Sequence, residues 1–255
     1  MLLRVFSDRP ALGAAAAKQA ATAIRRAVAS HGKARVVAAT AASQREFLIA
    51  LTSTSEIDWS KVEVFHLDEY IGLPITHPGS FRKMLLEQLV QRTGITQYHL
   101  LDGDAADPAQ VVKRVGDELA SAPIDIAFLG VGENCHIAFN DPPVADFNDP
   151  LDVKIVHLDE PCRRQQAAEG WFKSVDEIPK SAITVTMSAL LRVPKLVLSV
   201  VGARKANIVR RTFDDPIATA CPSTILRTHP DATIFMDREA AAQVQKRLSA
   251  HSGRI

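Results

Sequence analysis

Short apolar runs alternate with alanine-rich or amphipathic stretches along almost the whole chain, and this alternation limits the fold more than any other feature. Leu2–Phe6, Arg35–Ala39, Val62–Leu67, Ile124–Leu129, Leu151–His157, Ala182–Val185, Leu196–Val200 and Ala232–Met236 read as strands. The stretches between them predict helices over 11–30, Glu46–Leu51, 80–92, 108–121 and 203–213, with a terminal helix from about 238. Strands alternating with helices imply an α/β fold: a single doubly wound, mostly parallel, Rossmann-like sheet flanked by helices. A length of 255 residues and 47% hydrophobic content are sufficient for one domain spanning 1–255.

Charge and cysteine usage narrow the function. The net charge of +1 offers no basic surface for nucleic acid or an acidic membrane. No stretch approaches the roughly 20 apolar residues of a membrane span. Cys135, Cys162 and Cys221 are odd in number and lack metal-ligand spacing, so they read as reduced thiols in a cytoplasmic protein.

Open parallel sheets bind ligands beyond the carboxyl ends of their strands. Four polar clusters fall at such ends. Thr40-Ala41-Ala42-Ser43 leads from a strand into a helix. It could cradle an anion through helix N–H groups and the two hydroxyls, although a Ser43/Glu46 capping box accounts for the same residues. Asp68 follows the strand that carries Val62, Val64 and His66, and shares their face if the two-residue period holds. A carboxylate there suits a general base, and a turn aspartate is the plainer alternative. The stretch FLGVGENCHIAFNDPP, 128–143, supplies Gly130 and Gly132 for close approach or positive φ, then Asn134, His136, Asn140 and Asp141. A loop histidine can move protons near neutral pH, or can be merely hydrogen-bonded. Lys205 falls at a helix start, where the helix dipole disfavours a cation unless an anion is bound; a solvated surface lysine is the alternative. Together the clusters place hydroxyls, a carboxylate, a histidine and a lysine on one rim, an arrangement suited to proton transfer on a phosphorylated small molecule.

With these motifs in this order, the chain resembles the glucosamine-6-phosphate deaminases (isomerases), within the wider group that includes 6-phosphogluconolactonase. The resemblance rests on Leu67-Asp68-Glu69-Tyr70-x-Gly72-Leu73-Pro74, His77-Pro78 and Ser80, Gly130-Val131-Gly132, and His136-Ile137-Ala138-Phe139-Asn140-Asp141-Pro142. Pro179-Lys180-x-Ala182-Ile183-Thr184, Gly202-x-x-Lys205-Ala206 and His229-Pro230 complete it. It implies conversion of glucosamine 6-phosphate and water to fructose 6-phosphate and ammonia, with no metal and no organic cofactor. Asp68 then matches the base between C2 and C1, His136 the ring-opening proton shuttle, and Asp141 the acid that orients His136. Lys205 and the Thr40–Ser43 loop match phosphate ligands. The implied partner is a small-molecule sugar phosphate, and a homo-oligomer is left open.

The chain departs from that pattern at three places. Asn134 stands where an aspartate is usual and Cys135 where a glycine follows it, so the His136 relay should lean on Asp141 or on Glu133. Ala41 and Ala42 replace glycines of the phosphate loop. Glu169 aligns with the family's phosphate-binding arginine, for which Arg163 and Arg164, just over a helical turn upstream, are the candidate substitutes. Galactosamine 6-phosphate is an alternative substrate. A lactonase-like hydrolase is the alternative reaction, and a non-catalytic sugar-phosphate regulator is the third reading.

Overall fold

The computed structural model describes residues 1–244. Its strands are β1 (Leu2–Phe6), β2 (Ala34–Ala38), β3 (Val62–His66), β4 (Asp68–Tyr70), β5 (Gln97–His99), β6 (Ile126–Leu129), β7 (Val153–His157), β8 (Ser181–Val185), β9 (Leu196–Val200) and β10 (Ala232–Asp237). Seven form a fully parallel sheet in the order β1-β10-β9-β6-β2-β3-β5. The chain winds outward from β2 through β3 to β5, then returns to β6 and winds the other way through β9 to β10. The β2/β6 boundary is therefore the point at which the winding reverses, and ligands of such sheets bind there.

The central strands β2, β3, β6 and β9 are buried at every residue, as a sheet covered on both faces requires. One face packs on the helices Arg9–His31, Arg45–Thr52 and 81–93 through Leu12, Ile24, Phe47, Leu51, Leu85 and Leu89. The other packs on Pro108–Ala120 and Ala206–Asp214 through Val111, Val115, Ile208 and Val209. Gly13 lets the first two helices meet: a Cβ there would lie 2.6 Å from the Glu46 carbonyl carbon.

Two of the expected strands leave the main sheet. β8 pairs antiparallel with both β4 and β7 in a separate three-stranded sheet. β7 shows why: Ile155 and His157 are exposed on one side while Val156 between them is buried, so one face of this strand meets water. The expectation of a single sheet is corrected accordingly. The expected shared face of Val62, Val64, His66 and Asp68 also fails. β3 ends at His66, and after Leu67 the chain starts β4 with Asp68 opposite Thr184. The helix expected from about 238 appears as turns over 238–244, and its continuation lies outside the described residues. Among the described residues, no helix is long and apolar enough to cross a membrane.

Candidate active site

A cavity of about 190 Å³ opens at the carboxyl ends of β2, β3, β6 and β9, astride the winding reversal. Ala41, Ala42 and Ser43 enter it after β2, Asp68 after β3, and Gly130, Gly132, Glu133 and His136 after β6. Arg204 and Lys205 come in after β9, Arg9 from the start of the first helix, and Gln165, Gln166 and Glu169 from the helix Glu160–Ala168 and its end.

Asp68 is buried, and burial first, then the charge of Glu69, pushes its carboxyl up to about 8. Its neighbour Glu69 points the other way. That carboxylate accepts from Ser80 Oγ at 2.7 Å and from the N–H groups of Tyr70, Phe81 and Arg82 at 3.0, 3.2 and 2.8 Å. It also pairs with the buried Arg82 guanidinium at 3.3 Å. One carboxylate of the Asp-Glu pair thus anchors a helix start and the other is left to face the cavity.

The histidine is built differently. After β6 the chain turns tightly: Cys135 N–H donates to Gly132 O (3.0 Å) and Gly132 N–H donates to His136 O (2.9 Å). The imidazole folds back over Gly132 so closely that a Cβ there would lie 2.2 Å from its Nε2 and Cε1. Gly132 therefore provides close approach and not positive φ, which falls instead on Cys135 at 73° and Ala138 at 53°. Gly130 similarly leaves room for Ser43, whose Oγ would be 3.0 Å from an added Cβ. His136 Nδ1 sits 2.9 Å from Asp141 Oδ1, so Nε2 is the nitrogen turned toward the cavity side of Gly132. Burial raises the Asp141 carboxyl, but His136, the Asn134 amide and the Asp159 N–H outweigh it and hold Asp141 below the usual carboxylate range. His136, Asp141 and Cys162 bring ligand-type atoms within 4.8 Å of one another. Asp141 already accepts from Asn134 (3.0 Å) and from the Asp159 N–H (3.1 Å), which makes this a hydrogen-bonded set rather than an open metal site.

Several expected ligands are placed elsewhere. Thr40 turns inward and donates to Phe81 O at 3.2 Å. The Ser43/Glu46 capping box is not formed; Ser43 accepts from Gln44 Nε2 (3.2 Å), and the helix Arg45–Thr52 has no side-chain cap. Arg163 donates to the Val175 carbonyl at 2.6 Å and Arg164 pairs with Glu160 on the surface, so neither reaches the cavity. The helical segment that carries both does form, and it turns both arginines away from the cavity. Asn140 holds backbone, donating to Ile137 O and Val185 O at 2.9 Å each. Glu133 faces Arg204 at 3.3 Å, and Asp141 is the carboxylate paired with His136.

The cations that do line the cavity are Lys205, Arg204 and Arg9. Burial lowers Lys205, while Glu133 and Glu169 oppose that shift. Arg9 escaped sequence reasoning because it lies far from every motif, brought in only by the first helix. Asp159 was missed as well, and Asp159-Glu160-Pro161 is a readable helix-start signal.

Comparison with known proteins agrees with this geometry. The family of glucosamine-6-phosphate isomerases and 6-phosphogluconolactonases matches residues 7–235. The chain belongs to that family. It is 34% identical to the glucosamine-6-phosphate deaminase of Thermoanaerobacter pseudethanolicus over 200 residues, 77% of each protein. Identity to the Bacillus thuringiensis deaminase is also 34%, over 73% of this chain and 69% of that one. Among solved structures, a monomeric glucosamine-6-phosphate deaminase superposes with a TM-score of 0.86 at 27% identity, covering 95% of this chain and all of the other. A 6-phosphogluconolactonase from Shewanella baltica gives 0.78 at 20% identity over 93% of this chain and 97% of its own, a likeness of fold.

Proposed function

We propose that the chain is a single-domain cytoplasmic enzyme that deaminates glucosamine 6-phosphate to fructose 6-phosphate. The observation that carries this reading is one cavity holding a buried, unanchored carboxylate, a histidine–aspartate pair and three cations. A lactone hydrolysis needs a base for water; the separate, buried Asp68 suits a second proton transfer at carbon. The named relatives at 34% identity support the same reaction.

Each group then has a task. Lys205, Arg204, Arg9 and the Ser43 turn hold the phosphate, and that remote binding energy fixes C1 and C2 over Asp68. His136 Nε2, with Nδ1 engaged by Asp141, takes the anomeric hydroxyl proton and returns one to the ring oxygen, opening the pyranose. Asp68 removes the C2 proton and delivers it to C1, while the C1 oxygen takes up a proton and the C2 amine gives one up. The resulting C2 imine adds water, and ammonia leaves.

The purified protein should release ammonia and fructose 6-phosphate in equal amounts from glucosamine 6-phosphate, and 6-phosphogluconolactone should turn over far more slowly. Asp68→Asn should lower deamination by at least about a hundredfold, the share general base catalysis usually supplies. In the wild type, kcat/KM should climb as pH rises through about 8, because Asp68 acts only once its proton is lost. Hydrolysis of the lactone without ammonia release would overturn the reading.

A further inference from the structure

Asn134 is wedged between two acids. Its Nδ2 lies 3.0 Å from Asp141 Oδ1 and 3.1 Å from each carboxylate oxygen of Asp159. Its Oδ1 accepts the His136 N–H at 3.1 Å. The reverse amide orientation would set an oxygen against two carboxylates and an NH₂ against an N–H, so the surroundings fix the one shown. Asp159 closes the arrangement: its N–H donates to Asp141 Oδ2 at 3.1 Å, and its Oδ1 accepts the Cys162 N–H at 2.7 Å. The same residue caps the helix Glu160–Ala168, which carries Gln165 and Gln166 to the cavity wall.

We propose that Asp159 is a positioning residue for this reaction: acting through Asn134, it holds Asp141 Oδ1 on His136 Nδ1 and adds a second negative charge behind the ring-opening histidine. The inference rests on the deaminase reading above. Three facts carry it. Asp141 is fully buried, so nothing but protein can orient it. Both of its oxygens are fixed from the 134/159 side, one by the amide and one by the backbone N–H. The Asn134 amide is the side-chain donor that both carboxylates share, so an acid at 134 would set three like charges together. The charged or titratable groups gathered here are His136, Asp141, Asp159, Cys162 and Asp68, with Glu169 facing His136 from the end of the helix Glu160–Ala168.

The test is a double-mutant cycle on the intact enzyme with D159N, N134D and N134D/D159N. Asparagine caps a helix about as well as aspartate, so D159N keeps the cap and removes the charge. D159N should lower kcat about tenfold with KM within about twofold, and should displace the low-pH limb of the kcat profile. It should also broaden the downfield Nδ1–H proton resonance of the His136–Asp141 hydrogen bond. N134D sets three carboxylates together and should lower both kcat and Tm. Adding D159N to N134D removes one of the three and should then raise both, reversing the sign the same change has in the wild type. A role confined to capping predicts the same effect of D159N in both backgrounds, and that result overturns the proposal. So does D159N with wild-type kcat, pH profile and resonance. A wild type that releases no ammonia would sink the deaminase reading instead, and the resonance and Tm cycle would still decide the placement of Asp141.

Discussion

Gly132 shows how much of this site depends on an absent side chain. The His136 ring occupies the space a Cβ would take, at 2.2 Å, a separation real Cβ atoms do not show. In Gly132→Ala either the imidazole or the loop must move by an ångström or more. Misplacement of that size costs roughly a hundredfold in rate. The expected result is a kcat at least about a hundredfold lower, with the far-UV circular dichroism of the native fold; a variant within about threefold of wild type would remove the histidine from the mechanism. Asp68, His136, Asp141 and Lys205 were legible in the sequence because each stands at the end of an apolar run or in a motif. Arg163, Arg164 and Thr40 misled for a common reason. Their spacing was compatible with the cavity, but side-chain direction depends on the helix face and strand end, which spacing alone does not specify. Arg163 is used to hold the 175–178 turn, and Thr40 to hold the helix that starts at Phe81.

At the level of elements, the Asp68-Glu69 pair links the main sheet to the small one. Glu69 on β4 gathers the first N–H groups of the helix 81–93 and the Arg82 guanidinium, which continues to Asp102 and Asp104 at 3.3 and 2.8 Å. Glu69→Gln removes the buried negative partner and leaves Arg82 with half-exposed aspartates only. Breaking a buried pair in this way costs about 3–5 kcal/mol. Thermal unfolding of that variant should fall by roughly 6–20 °C, given about 2–4 °C per kcal/mol in a domain near this size; an unchanged Tm would mean that the anchor carries little. The central strands β2, β3, β6 and β9 were readable because burial on both faces makes them largely apolar runs. β4 and β5 were not, since each is three residues long and neither has room for a periodic pattern. Nor could periodicity assign β7 and β8 to a second sheet, because the choice of sheet is made by pairing partners distant in the chain.

For the molecule as a whole, burying Asp68 beside the cavity has a thermodynamic consequence that reaches beyond the site. Its carboxyl is held near 8 in the folded chain, against an ordinary 3.8. The unfolded chain therefore releases this proton at much lower pH than the folded one. Between the two values the unfolded state binds fewer protons, so rising pH favours unfolding, and the slope ends once the folded carboxyl also ionises near pH 8. The contribution of this residue to stability is thus full below about pH 4 and lost by about pH 8. An asparagine side chain at this position has no proton to lose and escapes the penalty. Asp68→Asn should unfold at nearly the wild-type temperature at about pH 4, and at a temperature several degrees higher by about pH 8, with the gap constant above that. The same variant should be the least active. A gap that stays flat from about pH 4 to about pH 9 would show that Asp68 is solvated in the folded protein and would remove the physical reason for choosing it as the base. A gap that opens with pH would mean that the strand end gives up stability to keep a high-affinity base in the cavity where the parallel sheet reverses its winding.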